Sequence, residues 1–213
     1  MPKSASEALY ANLSQCIHAT AQPLAILRAS LGNNYIDQMS VEELRELAAS
    51  SAIEVERVCT FFNCLQRLVS TESTKPHLAE TSIQALLSHV ADGVNLLFKE
   101  DGIVLRSTVS DDCQPVLIDK ARTLQALSTV LLIAHAVSRP QDTVEVVASS
   151  SSNVVRVVVQ NLTSYVDAIN AETSVSMAFA EANIRSQQAD FSWSLRPFSV
   201  QIELQGAPLV HYC

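Results

Sequence analysis

Two apolar seams near the N-terminus constrain what this chain can fold into. In each seam, apolar side chains return at steps of three and four residues, the repeat of a helix packed along one side. Between them, Gly32-Asn33-Asn34 is a typical helix stop, and Ser40-Val41-Glu42-Glu43 is a capping-box pattern that begins a new helix. The sequence therefore predicts two long antiparallel helices, over 5–31 and 40–70. The seams comprise Leu13, Ile17, Thr20, Leu24, Leu27 and Leu31, and then Leu44, Leu47, Ser51, Val55, Val58, Phe62, Leu65 and Val69.

A two-helix hairpin cannot enclose a hydrophobic core by itself. A second copy of the chain would complete a four-helix bundle, so a homodimer is the simplest arrangement. The alternative is that the hairpin packs on the C-terminal half of its own chain.

The rest of the chain alternates predicted strands and helices. We expect a helical hairpin domain over 1–70, a polar linker over 71–76 and an α/β sandwich over 77–213, which makes the fold class α+β. The sandwich should hold a mixed sheet with helices on one face. Its predicted strands are His77–Glu80, Ile103–Val109, Pro115–Ile118, Val144–Ala148, Val154–Val159, Phe191–Leu195 and Phe198–Leu204, and its helices are Ser82–Glu100, Asp119–Val137 and Ala171–Gln188.

Composition excludes several classes of function. The net charge of -8 argues against binding to nucleic acid, which needs a basic surface. No apolar run approaches the roughly 20 residues that span a bilayer, and the first residues lack a signal-peptide core, so we expect a cytoplasmic protein without membrane contact. The five cysteines include no C-x-x-C pair, as expected for reduced thiols. With only four glycines, the chain also has no phosphate-cradling motif.

His18 is the residue with the clearest chemical potential. It follows the seam residue Ile17, about 100° around the helix, and should stand partly exposed at the edge of the packed face. Pro23 follows one turn later, where it bends a helix. A reachable imidazole at this place can act as a nucleophile, and the neighbouring Thr20 and Gln22 could orient the ring or a phosphoryl oxygen. A solvated histidine without a function is the alternative.

The segment His18-Ala19-Thr20-Ala21-Gln22-Pro23-Leu24, together with the order of helices and strands, resembles the core of bacterial sensor histidine kinases. The hairpin is similar to their dimerisation and phosphotransfer domain, which implies that His18 is the phosphorylated position. The second half is similar to their ATP-binding domain, a Bergerat-type sandwich.

The departures from that family fall on its nucleotide-binding positions. Asp119 and Gln125-Ala126-Leu127 match the family's helix, but the two positions that hold Mg²⁺ and nucleotide are Thr129 and Ile133. Isoleucine has no oxygen to ligate Mg²⁺. Where the family has its adenine-binding D-x-G-x-G, this chain reads Gln160-Asn161-Leu162-Thr163-Ser164, and no glycine-rich lid precedes the last helix. Ala19 replaces the acidic residue expected after the histidine.

This combination resembles bacterial phosphorelay histidine phosphotransferases built on a degenerate kinase core. The resemblance implies a dimer that passes a phosphoryl group between receiver aspartates through His18, without ATP and without a cofactor of its own, since the receiver supplies Mg²⁺. A silent dimeric module that binds and regulates a receiver or kinase is the main alternative, favoured by Ala19. A third possibility is a phosphatase in which Gln22 aligns a water molecule on a receiver's aspartyl phosphate.

Overall fold

A computed structural model describes residues 21, 24–30, 39–164 and 171–207. Of the first predicted helix, the described part of α1 is helical over 24–30. The remainder of that helix, including the segment around His18, lies outside the described residues. Contacts within the chain divide it into two compact units. The first unit comprises residues 1–69 and 170–175, and the second comprises residues 70–169 and 176–213, which include every strand described.

The second predicted helix is confirmed as α2, which spans Val41–Ser73. Its capping box is formed: the Ser40 backbone N–H donates to Glu43 Oε2 at 2.7 Å, and the Glu43 N–H donates to Ser40 Oγ at 3.3 Å. The hydrogen bond from the Ser40 backbone is the main reason that the pKa of Glu43 lies below its ordinary value. The helix continues three residues beyond Ser70, so the predicted linker is helical over 71–73.

The second unit follows the predicted order of elements and adds a small sheet. Ser82 caps the helix that begins at Ile83 by accepting from the Ala85 N–H, and Asp119 caps the helix that begins at Lys120 by accepting from the Arg122 N–H. The elements are β1 (Ala79–Thr81), α3 (Ile83–Glu100), β2 (Val104–Val109), β3 (Val116–Ile118), α4 (Lys120–Ala136), β4 (Thr143–Ser151), β5 (Val154–Asn161), α5 (Ala171–Arg185), β6 (Asp190–Leu195) and β7 (Phe198–Gln205).

The main sheet has five strands in the order β2-β4-β5-β7-β6. Only β2 and β4 are parallel, as the crossover through α4 between them requires, and the other neighbours are antiparallel. The mixed sheet predicted from the sequence is therefore confirmed. The second sheet pairs β1 with β3, which the sequence did not predict.

One face of the five-stranded sheet forms the core of this unit. Alternate residues of β4, β5 and β7 are buried, and they belong to the same cluster as buried side chains of α3, α4 and α5. The helices thus cover one face, as expected. The residues between these buried ones point to the opposite face of the sheet, and they are exposed or only partly buried. The largest fully buried side chains include Phe98, Phe198, Leu86, Ile184 and Ile202.

Candidate functional site

The three residues predicted to act in phosphoryl transfer, His18, Thr20 and Gln22, lie outside the described residues. Ala21 and the turn that begins at Leu24 are helical, as the seam predicts for this segment. Leu24 is 49 % exposed although it belongs to the predicted seam. The acceptor role of His18 therefore stays a prediction from the sequence.

Two positions of α4, Thr129 and Ile133, correspond to those that hold Mg²⁺ and nucleotide in the kinase family that the sequence resembles, and the structure describes both. Thr129 is partly exposed, whereas Ile133 is 5 % exposed and belongs to the hydrophobic core. The side chain at 133 therefore stabilises the packing of α4 and offers no oxygen to a metal ion.

At the end of β5, the side chain of Asn161 is completely buried and all of its hydrogen-bonding capacity is used within the chain. Its Nδ2 donates to Ser138 Oγ at 2.7 Å and to Asp142 Oδ2 at 3.0 Å. Its Oδ1 accepts from the backbone N–H groups of Thr163 and Ser164, at 3.0 and 3.1 Å. A primary amide has two N–H donors and two lone pairs on oxygen, so this group is satisfied.

Asp142 holds the other side of this network. Its carboxylate accepts from the Arg139 backbone N–H at 2.9 Å and from Thr163 Oγ1 at 2.9 Å. The hydrogen bond from Arg139 contributes most to keeping the pKa of Asp142 below its ordinary value; burial opposes it, and the bonds from Asn161 and Thr163 reinforce it. Ser164 Oγ closes the network by donating to the carbonyl of Val137 after α4. We call Ser138, Asp142, Asn161, Thr163 and Ser164 the Asn161 network.

The sequence shows that this place lacks the aspartate and glycines of the kinase family that it resembles, but not which interactions the residues here make. Asparagine followed two residues later by a turn is a known pattern in which the side-chain oxygen caps the next backbone N–H groups. That signal was present in Asn161-Leu162-Thr163-Ser164. No local pattern indicates the contributions of Ser138 and Asp142, because these residues lie in the loop between α4 and β4, about 20 positions away in the sequence.

A second group of polar side chains lies where α3 and α4 end. His135 Nε2 is 2.9 Å from Asp101 Oδ2, although the two are not aligned as a hydrogen bond, and the His135 ring meets Phe98 edge-on at 5.1 Å. His135 and Asp101 line an open cavity of about 450 Å³, together with Glu100 and Pro140. Within the described ranges, no three histidine, cysteine or acidic side chains are grouped as a metal site would need.

The histidines that the structure describes occupy solvent-exposed or core positions. His77 and His89 are exposed, and His135 is mostly buried. Among the described helices, none is both long and apolar enough to cross a bilayer.

Comparison with solved structures defines the class of fold. No protein-family model matches the chain, and no curated protein matches its sequence. By structure, however, the described part of the chain is similar in fold to solved histidine kinases.

Three of the similar structures cover most of the chain. The histidine kinase AdeS of Acinetobacter baumannii is 15% identical with a TM-score of 0.67, over 89% of this chain and 97% of that one. The histidine kinase ThkA, solved in complex with the response regulator protein TrrA, is 13% identical with a TM-score of 0.70, over 93% and 62%. Full-length ShkA, in complex with AMPPNP, is 15% identical with a TM-score of 0.62, over 96% and 47%. At these identities the likeness establishes the fold, and function has to be argued from the site.

Proposed function

We propose that this chain is a histidine phosphotransferase of a two-component phosphorelay, which moves a phosphoryl group between receiver aspartates through His18. The observation that carries the proposal is the contrast between two places in one histidine-kinase fold. The acceptor segment keeps its histidine, proline and leucine in sequence, whereas the end of β5 is occupied by the internal hydrogen bonds of Asn161. An acceptor histidine without a nucleotide site fits a phosphotransferase, which takes its phosphoryl group from a receiver and not from ATP.

The chemistry of such a transfer suits the residues of the acceptor segment. The neutral imidazole of His18 attacks phosphorus, a P–N bond forms, and the P–O bond to the receiver's aspartate breaks. Both the acyl phosphate and the phosphohistidine are high-energy, so the step needs positioning more than driving force. Thr20 and Gln22 are the neighbours proposed to orient the ring or the phosphoryl oxygens. The receiver supplies Mg²⁺, so this chain needs no metal of its own.

The proposed partner is a receiver domain. The ThkA structure, which has the same fold, contains a response regulator protein, and this supports a receiver as the partner of the present chain. We also propose that the chain performs this function as a cytoplasmic homodimer with the domain organisation expected from the sequence.

The test of the proposed function is incubation of the purified chain with candidate receivers carrying labelled aspartyl phosphate. We expect label on this chain that is labile in acid and stable in base, as for phosphohistidine. The silent module, which Ala19 favours, predicts stable binding of a receiver and no label. If every receiver that binds fails to label the chain, the phosphotransferase proposal is wrong and the silent module is supported.

We predict that ATP does not bind with useful affinity. Ile133 offers no ligand oxygen to Mg²⁺, and the amide of Asn161 has no donor or acceptor left for an adenine ring. Calorimetric titration of the full chain with ATP and Mg²⁺ should give no saturable heat below millimolar nucleotide. Saturation in the submillimolar range would contradict the proposed loss of the nucleotide site.

We predict that the chain is a homodimer through its hairpin. The seam residues Leu44, Val55 and Phe62 of α2 are 38, 50 and 56 % exposed in the single chain, which leaves apolar area for a second copy to cover. Light scattering should give twice the chain mass of 23.1 kDa at micromolar concentration.

A charge introduced into the seam should separate the two copies. We expect Phe62→Glu to shift the mass to that of a monomer. The matched control is Leu96→Glu on α3, since Leu96 is 70 % exposed but lies in the sandwich, and this variant should stay dimeric. A parent protein that is monomeric at micromolar concentration would contradict the four-helix bundle.

A further inference from the structure

The buried Arg122 and the adjacent Asp119 connect three parts of the sandwich that are distant in sequence. Arg122 lies in the first turn of α4 and is 9 % exposed. Its Nη2 donates to the carbonyl and to Oγ1 of Thr74, at 2.9 and 2.6 Å, and its Nη1 donates to Ser186 Oγ at 2.8 Å. One guanidinium therefore binds both the segment that precedes β1 and the turn that follows α5.

Asp119 makes the same two connections through different atoms. Its Oδ2 accepts from the His77 backbone N–H at 2.9 Å, and its own backbone N–H donates to Gln187 Oε1 at 2.6 Å. Arg122 Nε lies 3.5 Å from Asp119 Oδ2, so the two side chains also form an ion pair. Burial alone would raise the pKa of Asp119, but the N–H groups of His77 and Arg122 and the arginine charge together hold it below its ordinary value.

The amide of Gln187 completes this arrangement. Gln187 is 5 % exposed, and its Nε2 donates to Thr123 Oγ1 and to the carbonyl of Asn183. Burying a guanidinium and a carboxylate is costly unless each is paired and hydrogen-bonded, and loss of one partner leaves an uncompensated buried charge. Arg122 and Asp119 thus bind the segment before β1 and also the turn after α5, so a change at these two residues affects both places.

We propose that Arg122 and Asp119 form a coupling node, through which residues 74–78 and the turn 186–188 open and close together as one cooperative unit. Residues 74–76, the last part of the predicted linker, are in this proposal bound to the sandwich. When residues 74–78 detach, the turn after α5 also opens, and when that turn opens, residues 74–78 detach. The inference goes beyond the proposed phosphotransfer and does not depend on it.

Hydrogen exchange of the full-length chain tests the node, because both segments carry reporting amides. The His77 N–H is bonded to Asp119, and the N–H groups of Ser186, Gln187 and Gln188 are bonded to carbonyls of α5. In Arg122→Met, which keeps the apolar stem, we expect exchange in both segments to rise roughly 10- to 100-fold, the loss expected for hydrogen bonds to a charged group. Exchange in β5 and β7 should stay unchanged.

Milder variants keep the test decisive if Arg122→Met does not fold. Thr74→Val removes one hydroxyl from the first segment, and Ser186→Ala removes one from the turn. Each should raise exchange in both segments by about 2- to 10-fold, because coupling between two sites is reciprocal. Arg106→Met is the matched control, since Arg106 is exposed on β2, and it should alter neither segment.

Three outcomes would overturn the node. Thr74→Val could raise exchange only in 74–78, which would mean that the two segments open independently. Exchange could rise equally throughout the sandwich, which would make Arg122 a general stabilising residue. Exchange in both segments could remain at the parent level in all three variants, which would mean that other contacts hold them.

Discussion

Replacing His18 with glutamine should abolish phosphoryl acceptance while the chain still folds and dimerises. Glutamine keeps much of the size and polarity of histidine but has no nucleophilic ring nitrogen. The sequence places His18 beside the apolar seam and not in it, so the substitution should leave the helix packing intact. With a cognate phosphorylated receiver, the label on His18→Gln should fall to background, a loss of at least about 100-fold relative to the parent, as expected when the only nucleophile is removed.

His89→Gln is the matched control for this substitution. His89 is an exposed histidine of α3, on the sandwich, and its replacement should leave labelling at the parent level. Circular dichroism and light scattering on both variants would verify fold and mass. Equal labelling of His18→Gln and the parent would exclude His18 as the acceptor.

The second large effect is expected at Asn161, where aspartate is nearly the same size but carries a charge. In Asn161→Asp, a carboxylate oxygen would take the place of Nδ2, 3.0 Å from the carboxylate of Asp142. Two like charges at this distance repel strongly when one of them is buried, and two donated hydrogen bonds are lost. We expect the free energy of unfolding at pH 7 to fall by about 2–4 kcal/mol. Chemical denaturation measures this directly.

The pH dependence identifies the cause of that loss. Repulsion would raise the pKa of one carboxyl of the pair in the folded variant above the value of about 3.9 for an unfolded aspartate. The folded variant then binds more protons than the unfolded chain as the pH falls from 7 toward 4, so the difference in stability from the parent should shrink over that range. A deficit that is constant from pH 7 to 4 would contradict charge repulsion.

Gln160→Glu is the control for the change from amide to acid. Gln160 precedes Asn161 on β5, is partly exposed, and donates to Glu145 Oε2 at 3.1 Å, so its variant also creates a pair of carboxylates. Because water screens this pair, we expect a loss below about 1 kcal/mol. We also expect neither variant to gain affinity for ATP, because Ile133 remains in the core.

The elements of the sandwich were predictable because each has a local signal. The apolar period and the Ser82 cap define α3, and the β-branched runs on either side of Ser152-Asn153 define β4 and β5. Both strands of the β1–β3 sheet were predicted, but their pairing was not, because strands of three residues give no pattern that identifies a partner. The position of β2 at the edge of the sheet was not predictable either, because it depends on a parallel pairing with β4 that no local pattern indicates.

The candidate sites were predictable only where they consist of a motif. His18, Thr20 and Gln22 follow from one short segment and stay a prediction. The Asn161 network was half visible, because the turn residues are consecutive while Ser138 and Asp142 approach from the preceding loop. The coupling node was not visible at all: Arg122 and its partner Thr74 are 48 positions apart, and Arg122 and Ser186 are 64 positions apart. Such contacts arise only when the sheet brings α4 and α5 together.

The two outer strands of the main sheet bear on how this chain behaves at high concentration. An edge strand with unsatisfied backbone groups can recruit a strand of another molecule, and natural proteins oppose this with charged side chains. Here Arg106 lies within β2, and the guanidinium of Arg185 donates to the carbonyl of Phe191 on β6 at 3.0 Å. A second copy that approached β2 would meet the Arg106 side chain of that strand, and one that approached β6 would meet the guanidinium of Arg185, which extends from α5. Pairing of two copies edge to edge through the main sheet is therefore disfavoured at both of its outer strands.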